Sequence, residues 1–242
     1  MGKTSKIEII KICKVLSKSY SITRLKNKKN PLLEAIFIIL SSQTTETNYL
    51  NTWKSFRNKF KTINEVDNAS INSIYLSIKR GGLGKWKAKR IKTLLNQVKN
   101  KYNKLSLSSL SNLDNDKLEK ELLLFDGIGI KSAKCIMMYS FDRQVFPIDT
   151  HALRIITRIG FKIPKINQKS KMFAKIIENQ IPPELRFRFH VNLIQHGRLV
   201  CKTTPLCNKC NVVKYCYTGK KYLYRKAATD GGDKRRWRAN GI

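Results

Sequence analysis

Apolar residues recur every three or four positions through most of this chain, and the strict alternation of a half-buried strand is almost absent. That period leaves few architectures open. Each amphipathic helix must bury one stripe against its neighbours, so the expected fold class is all-α. Ile9, Ile12, Cys13 and Leu16 mark the inner face of a first helix. Asn30-Pro31 pairs a capping residue with a first-turn proline and predicts a helix over 31–41. Further helices are expected over 46–59, 70–78, 85–102, 115–124, 131–140, 150–159, 168–179 and 183–196. Gly81-Gly82, Gly127, Gly129, Gly160, Pro164 and Pro182-Pro183 punctuate them. Segment 104–114, KLSLSSLSNLD, has the composition of a polar linker. From 218 the chain is basic and contains glycine, and a poorly ordered tail is expected over 218–242.

The 242 residues suffice for one large or two smaller domains, and 41% hydrophobic composition allows a real core. Lys and Arg number 49 against 16 Asp and Glu, a net charge of +33. Such a chain repels itself unless a polyanion compensates. The excess runs through the helical segments, which points to nucleic acid; the bland alternative is solvated lysine inflated by a coding bias. The longest apolar run, AIFIIL at 35–40, is too short to span a membrane. The N-terminus is basic but lacks the continuous apolar stretch of a signal peptide. An intracellular location is expected, in a compartment that keeps the cysteines reduced.

Residues 125–151, FDGIGIKSAKCIMMYSFDRQVFPIDTH, hold the chemical candidates. Gly127 and Gly129 form a Gly-x-Gly turn between two helices. Glycine there allows positive φ, and the following helix start can hold a phosphate on its N–H groups. A simple helix–turn–helix connection is the alternative. Lys131 falls at the second position of that helix, where the macrodipole and neighbouring cations disfavour its charge and so favour a nucleophilic amine. On its own a lysine is most often solvated surface. Asp149 precedes ALRIITRIG and is a good helix cap. Cys201, Cys207, Cys210 and Cys216 form C-x5-C-x2-C-x5-C, which suits a tetrahedral zinc or a [4Fe–4S] cluster. Cys13 and Cys135 read as buried helix residues, and His151, His190 and His196 as hydrogen-bonded structural residues.

These pieces together resemble the endonuclease III family of DNA glycosylases, over about residues 5–217. FDGIGIKSA follows the family's Leu-Pro-Gly-Val-Gly-x-Lys-Thr-Ala, and Ile148 to His151 its Val-Asp-Thr-His. LSSQTTE at 40–46 is similar to Leu-Ser-x-Gln-x-Thr-Asp, GLGKWKA at 82–88 to Gly-Leu-x-x-x-Lys-Ala, and HGRLVC to the His-Gly-Arg approach to the family's cluster loop. The chain departs from the pattern at Asp126, where the family often has Pro, and in a first cysteine gap one residue shorter than usual.

The resemblance implies a two-domain helix-hairpin-helix glycosylase fold with an iron–sulfur cluster loop. Residues 30–148 would form a six-helix barrel domain containing the hairpin, and 1–29 with 149–217 the cluster domain. It implies Lys131 as Schiff-base nucleophile and Asp149 as the carboxylate that stabilises positive charge on the sugar. Gln43 would fill the space of an extruded nucleotide and Leu83 would wedge the opposite strand. Gly127 and Gly129 would bind phosphate, as would Lys202, the basic residue within the first cysteine gap. The four cysteines would ligate a structural [4Fe–4S] cluster. The implied activity is base excision repair by a monomer: removal of oxidised pyrimidines from double-stranded DNA, and nicking of abasic sites as an AP lyase. An adenine-specific mismatch branch of the superfamily fits less well, since it lacks the lysine and carries a glutamate where Ile38 stands. Other readings are a mismatch uracil or thymine glycosylase, a non-catalytic hairpin module, and a zinc-bearing nucleic-acid regulator.

Overall fold

Asn30 caps α2 (Pro31–Ser41) in the way its sequence predicts: its side chain accepts from the N–H groups of Leu32 and Leu33, and Pro31 fills the first turn. The computed structural model describes residues 4–21 and 25–229. Among these there is no strand. The other helices are α1 (Lys6–Ser19), α3 (Glu46–Lys59), α4 (Ile63–Asn68), α5 (Ile71–Ile78), α6 (Gly84–Tyr102), α7 (Asn115–Leu123), α8 (Ile130–Ser140), α9 (Thr150–Ile159), α10 (Lys171–Glu178), α11 (Pro183–Leu199) and α12 (Tyr217–Thr229). They divide into two units: Lys26–Arg143, and Met1–Leu25 with Gln144–Ile242.

In the central unit α2 is apolar nearly all round, so it takes the middle, with α3, α6 and α8 packed on it. Phe37 meets Trp53 and Tyr49 of α3 edge-on, with ring centroids 5.2 and 5.4 Å apart. Short α4, started by a Thr62 cap, comes in addition to the six helices expected here. Segment 104–114 is more than a linker: Leu107 and Leu110 are buried and Ser108–Asn112 forms a 3-10 turn. Arg143 holds the carbonyls of Ser111 and Leu113. Side chains of Thr45, Thr62, Ser70 and Asp114 cap α3, α4, α5 and α7, whereas α6 and α8 start without any such bond.

In the other unit Ile9, Ile12, Cys13 and Leu16 of α1 are buried against α9, α10 and α11, in a core with Ile155, Phe173 and Phe189. A Cβ on Gly197 would lie 2.6 Å from His151 Nδ1, so the glycine permits α11 to approach α9 this closely. The expected tail needs correcting over 218–229, which belong to α12, packed on α9. Composition misses what holds it. Lys220 pairs with Glu8 at 2.7 Å, and Gly219 sits so close to the Val213 carbonyl that no side chain would fit. The rest of that expected tail, 230–242, lies outside the described residues.

Candidate active site

The helix–turn–helix of the sequence is present. Asp114 starts α7, Leu118 and Leu122 bury its inner face, and Phe125 and Ile128 anchor the turn. A buried ion pair, Glu119 with Lys134 at 3.8 Å, joins α7 to α8. Of the two glycines, Gly127 meets the expectation of positive φ and Gly129 does not. Gly127 has φ +88°, and a Cβ there would overlap Nε of Arg90 from α6 and lie 3.0 Å from its Cδ and Cζ. Gly129 has φ −86° and ψ 177°, ordinary extended backbone, so positive φ is not its role. Its missing side chain instead leaves α8 uncapped, and a Cβ there would meet nothing within 4 Å. The start of α8 is thus unobstructed, which suits the approach of a phosphate oxygen.

Lys131 is exposed in the first turn of α8. Its charge reaches Glu34, fully buried in α2. Burial pushes the Glu34 carboxyl up to about 7, against hydrogen bonds from the Asn27 amide and the Lys28 N–H and against the charges of Lys131 and Lys28.

Gln43 and Leu83 are both exposed, and both have φ of +50°. The other described non-glycine residues with positive φ are Asn103 and Asp142, types that tolerate this region; glutamine and leucine do so far less readily. Backbone strain of this kind persists where the surroundings impose it, and it clusters at functional sites. Leu83, 51% exposed, stands where α6 would have its cap, and Trp86 one turn on is 45% exposed with Arg90 stacked on it at 4.7 Å. Sequence reasoning passed over Lys87. It is buried, and its Nζ donates to the carbonyls of Leu40 at 2.9 Å and Gly81 at 3.0 Å. Burial holds its pKa below the usual lysine value.

Asp149 belongs to the other unit from Lys131, Gln43 and Leu83. It is half-buried and caps α9, its Oδ1 accepting from the Ala152 N–H at 2.7 Å. The capping expectation is therefore met.

The structure gathers Cys201, Cys207, Cys210 and Cys216 around one pocket, with Ile155, Arg158, His196 and Val212 among its walls. Burial raises the Cys210 thiol to about 11 and also raises Cys207 and Cys216, and the charges of the neighbouring cysteines add to it. Among the described residues no three His, Cys, Asp or Glu side chains are grouped so as to hold a single metal ion. Arg154 and Arg158, one turn apart on α9, bind the loop: Arg154 holds the Cys201 carbonyl, and Arg158 reaches Cys201 Sγ at 3.3 Å and the carbonyls of Lys202 and Thr203. Lys202 itself is exposed.

His196 is hydrogen-bonded to Tyr20 at 2.8 Å, its Nε2 lies 3.7 Å from Cys210 Sγ, and burial pushes its pKa down to about 4. His151 bonds Arg154, and His190 is buried edge-on to Phe146. Cys13 and Cys135 are buried away from the pocket.

The family model for the HhH-GPD superfamily base excision DNA repair protein matches residues 36–183. That is more than half of the chain, and it includes Gln43, Leu83, the hairpin, Lys131 and Asp149. The chain belongs to the HhH-GPD superfamily. Among HhH-GPD relatives it is 34% identical over 179 residues to a candidate DNA glycosylase of Arabidopsis thaliana, covering 73% of this chain and 58% of that protein. It thus spans less than two thirds of that relative. To endonuclease III of Sulfolobus acidocaldarius it is 32% identical over 193 residues, covering 78% of this chain and 82% of the other. Among solved structures it is similar to a non-covalent endonuclease III–DNA complex, with a TM-score of 0.74 and 25% identity over 90% of this chain and 98% of that one. The all-α HhH-GPD fold expected from the sequence is the one observed. Among the described residues no helix is long and apolar enough to cross a membrane.

Proposed function

We propose that this HhH-GPD protein is a base-excision-repair DNA glycosylase with AP lyase activity, which acts as a monomer on double-stranded DNA. Lys131 carries the reading: an exposed amine in the first turn of an uncapped helix, directly after the Gly127–Gly129 turn. The names of the Sulfolobus relative and of the solved DNA complex support the same reaction class.

The N–H groups at the start of α8 hold a backbone phosphate. Gln43 enters the gap left by the extruded nucleotide and bonds the orphaned base through its amide, and Leu83 replaces lost stacking on the opposite strand. The Lys131 amine, favoured in its neutral form by the helix dipole, attacks C1′. The C1′–N bond breaks, and the base leaves with the bonding pair and takes up a proton. The nitrogen then loses a proton, and the freed pair opens the sugar ring to an iminium as O4′ takes up a proton. Loss of a C2′ proton then expels the 3′ phosphate oxygen and cuts the strand 3′ to the site. The likeness of Ile148 to His151 to the family's Val-Asp-Thr-His motif gives Asp149 the role of the carboxylate that stabilises the developing positive sugar and helps activate the amine. Oxidised or ring-saturated pyrimidines stack poorly, so they are extruded most cheaply and are the preferred substrates.

Cys201, Cys207, Cys210 and Cys216 would hold a [4Fe–4S] cluster, which supplies a structural crosslink to the loop that carries Lys202 toward phosphate. The fit rests on the pocket. Burial and the neighbouring cysteines raise the Cys207, Cys210 and Cys216 thiols, which stay protonated unless a positively charged core stabilises the thiolates, and Arg158 already donates to the fourth sulfur, that of Cys201.

Borohydride reduction on an abasic duplex tests the reading. Wild-type protein is expected to freeze a covalent adduct and Lys131→Ala to give none; trapping of Lys131→Ala at wild-type yield would remove the mechanism. A panel of lesion duplexes tests the substrate. Excision of mismatched uracil or thymine alone, with thymine glycol and dihydrouracil untouched, would defeat the substrate assignment and leave the lyase chemistry standing.

A further inference from the structure

Helix α6 is crowded with lysines, and Lys85, Lys89 and Lys99 are exposed as expected. Lys87 is fully buried in their midst. Its ammonium bonds two carbonyls that stand at the ends of separate segments. Leu40 lies in the last turn of α2, three residues before Gln43; Gly81 ends the 3-10 turn Lys79–Gly81, two residues before Leu83. The last carbonyls of a helix lack partners within it and carry its negative pole, so one cation complements both ends together. The turn is held from its other side as well. A Cβ on Gly81 would lie 2.6 Å from Thr52 Oγ1 of α3, so backbone and side chain are in close contact there.

The residues just beyond these two anchors are the pair with φ of +50°. Such conformations relax unless neighbouring structure enforces them. We propose that Lys87 is a positioning residue that fastens the Gln43 loop and the Leu83 loop to each other, so that both probes enter the duplex in fixed register. The inference rests on the reading above, in which those two side chains enter DNA. Without the ammonium, two buried carbonyls lose a donor and the end of α2 moves independently of the 3-10 turn. Each probe then samples more conformers, and extruding a stacked base suffers. Cutting at a site whose base is already gone depends far less on the probes.

Single-turnover excision from a thymine glycol duplex is compared with nicking of an abasic duplex. Lys87→Met, which keeps the stem but not the donors, is expected to slow excision on the order of 10- to 100-fold, the effect of unsatisfied buried carbonyls, and to slow nicking by a much smaller factor. Lys87→Arg, which restores charge and donors, recovers most of the loss. The decisive arm is a cycle with the Gln43→Ala/Leu83→Ala protein, in which Lys87→Met should cost little further excision because the parts it aligns are gone. Lys87→Gln, whose amide still serves one carbonyl, runs the same cycle if the methionine variant is too unstable to purify. Equal losses in both backgrounds, equal losses of excision and nicking, or unchanged excision would each overturn the role. Wild-type protein that neither excises nor nicks would refute the proposed function and this inference with it; an active wild type with an additive cycle would refute Lys87 alone.

Discussion

Gly127 and Gly129 sit in one turn, yet alanine should affect stability far more at the first than at the second. At Gly127 the backbone has φ +88°, where an L side chain is strained by roughly 1–2 kcal/mol. The new Cβ would also overlap Arg90 Nε, which is buried and without a hydrogen-bond partner, so the guanidinium must leave its stack on Trp86. An exposed cation–π contact of that kind contributes about 0.5–1 kcal/mol. The two effects sum to about 1.5–3 kcal/mol of lost stability in Gly127→Ala. Gly129, at φ −86° with open space where a Cβ would go, has neither difficulty. There alanine lowers the entropy of the unfolded chain by about 0.4–1 kcal/mol and loses part of that as a poorer cap, so Gly129→Ala should fall within about 0.5 kcal/mol of wild type. Urea denaturation of both variants at one pH measures the contrast. Anisotropy with an abasic-analogue duplex should show weaker binding in both, because a methyl group at either position crowds a phosphate approach. Equal stability of the two alanine variants would refute the assignment of strain to Gly127, whatever happens to binding.

Glu34 sets a pH dependence. Its folded pKa of about 7 stands above the unfolded 4.5, so the stability it contributes is complete below pH 4.5 and is lost as pH rises through 7. The wild-type advantage over Glu34→Gln should therefore shrink by about 3 kcal/mol from pH 4.5 to about pH 8 in chemical denaturation, and a pH-independent difference would count against it. Protein purified without oxygen should be yellow-brown with about four irons, and Cys210→Ser should impair folding or DNA binding more than chemistry; colourless protein with one zinc would overturn the cluster assignment. DNA affinity should fall with salt at a log–log slope of roughly −5 if about six phosphates are neutralised, and a slope near zero would assign the basic surface to another partner.

Most helices were legible because capping and periodicity agree locally. Asn30, Thr45, Ser70 and Asp149 each stand where a side-chain oxygen meets the first free N–H groups, and the helices begin there. Helix α4 escaped notice because six residues are too few to show a period, and only Val66 and Asp67 of it are buried. Helix α12 escaped because its support comes from Glu8 and Val213, far away in sequence or on a preceding turn. Motifs in the sequence mark the positions on which the candidate site is built: the hairpin turn, Gln43, Leu83 and the four clustered cysteines. Lys87 was not legible, since burial distinguishes it from the lysines beside it and spacing does not. Arg154, Arg158 and His196 read as ordinary helix residues until the cysteine loop folds back on them.

The unit that holds the cysteines is assembled from two distant pieces of chain, and that sets an order in time. Helix α1 leaves the ribosome ahead of the other described helices, but α11, its packing partner, is complete only about 180 residues later. At about 5–20 residues per second that is a wait of roughly 10–40 s, during which Ile9, Ile12 and Leu16 have no core to enter. Residues 26–143 are finished within that interval and can fold as a unit. The nascent protein therefore passes through a state with one folded unit and one exposed apolar helix, which a chaperone or a protease would meet before any cluster could be loaded. Pulse-labelled chains stalled before residue 183 should show a protease-resistant core that lacks α1.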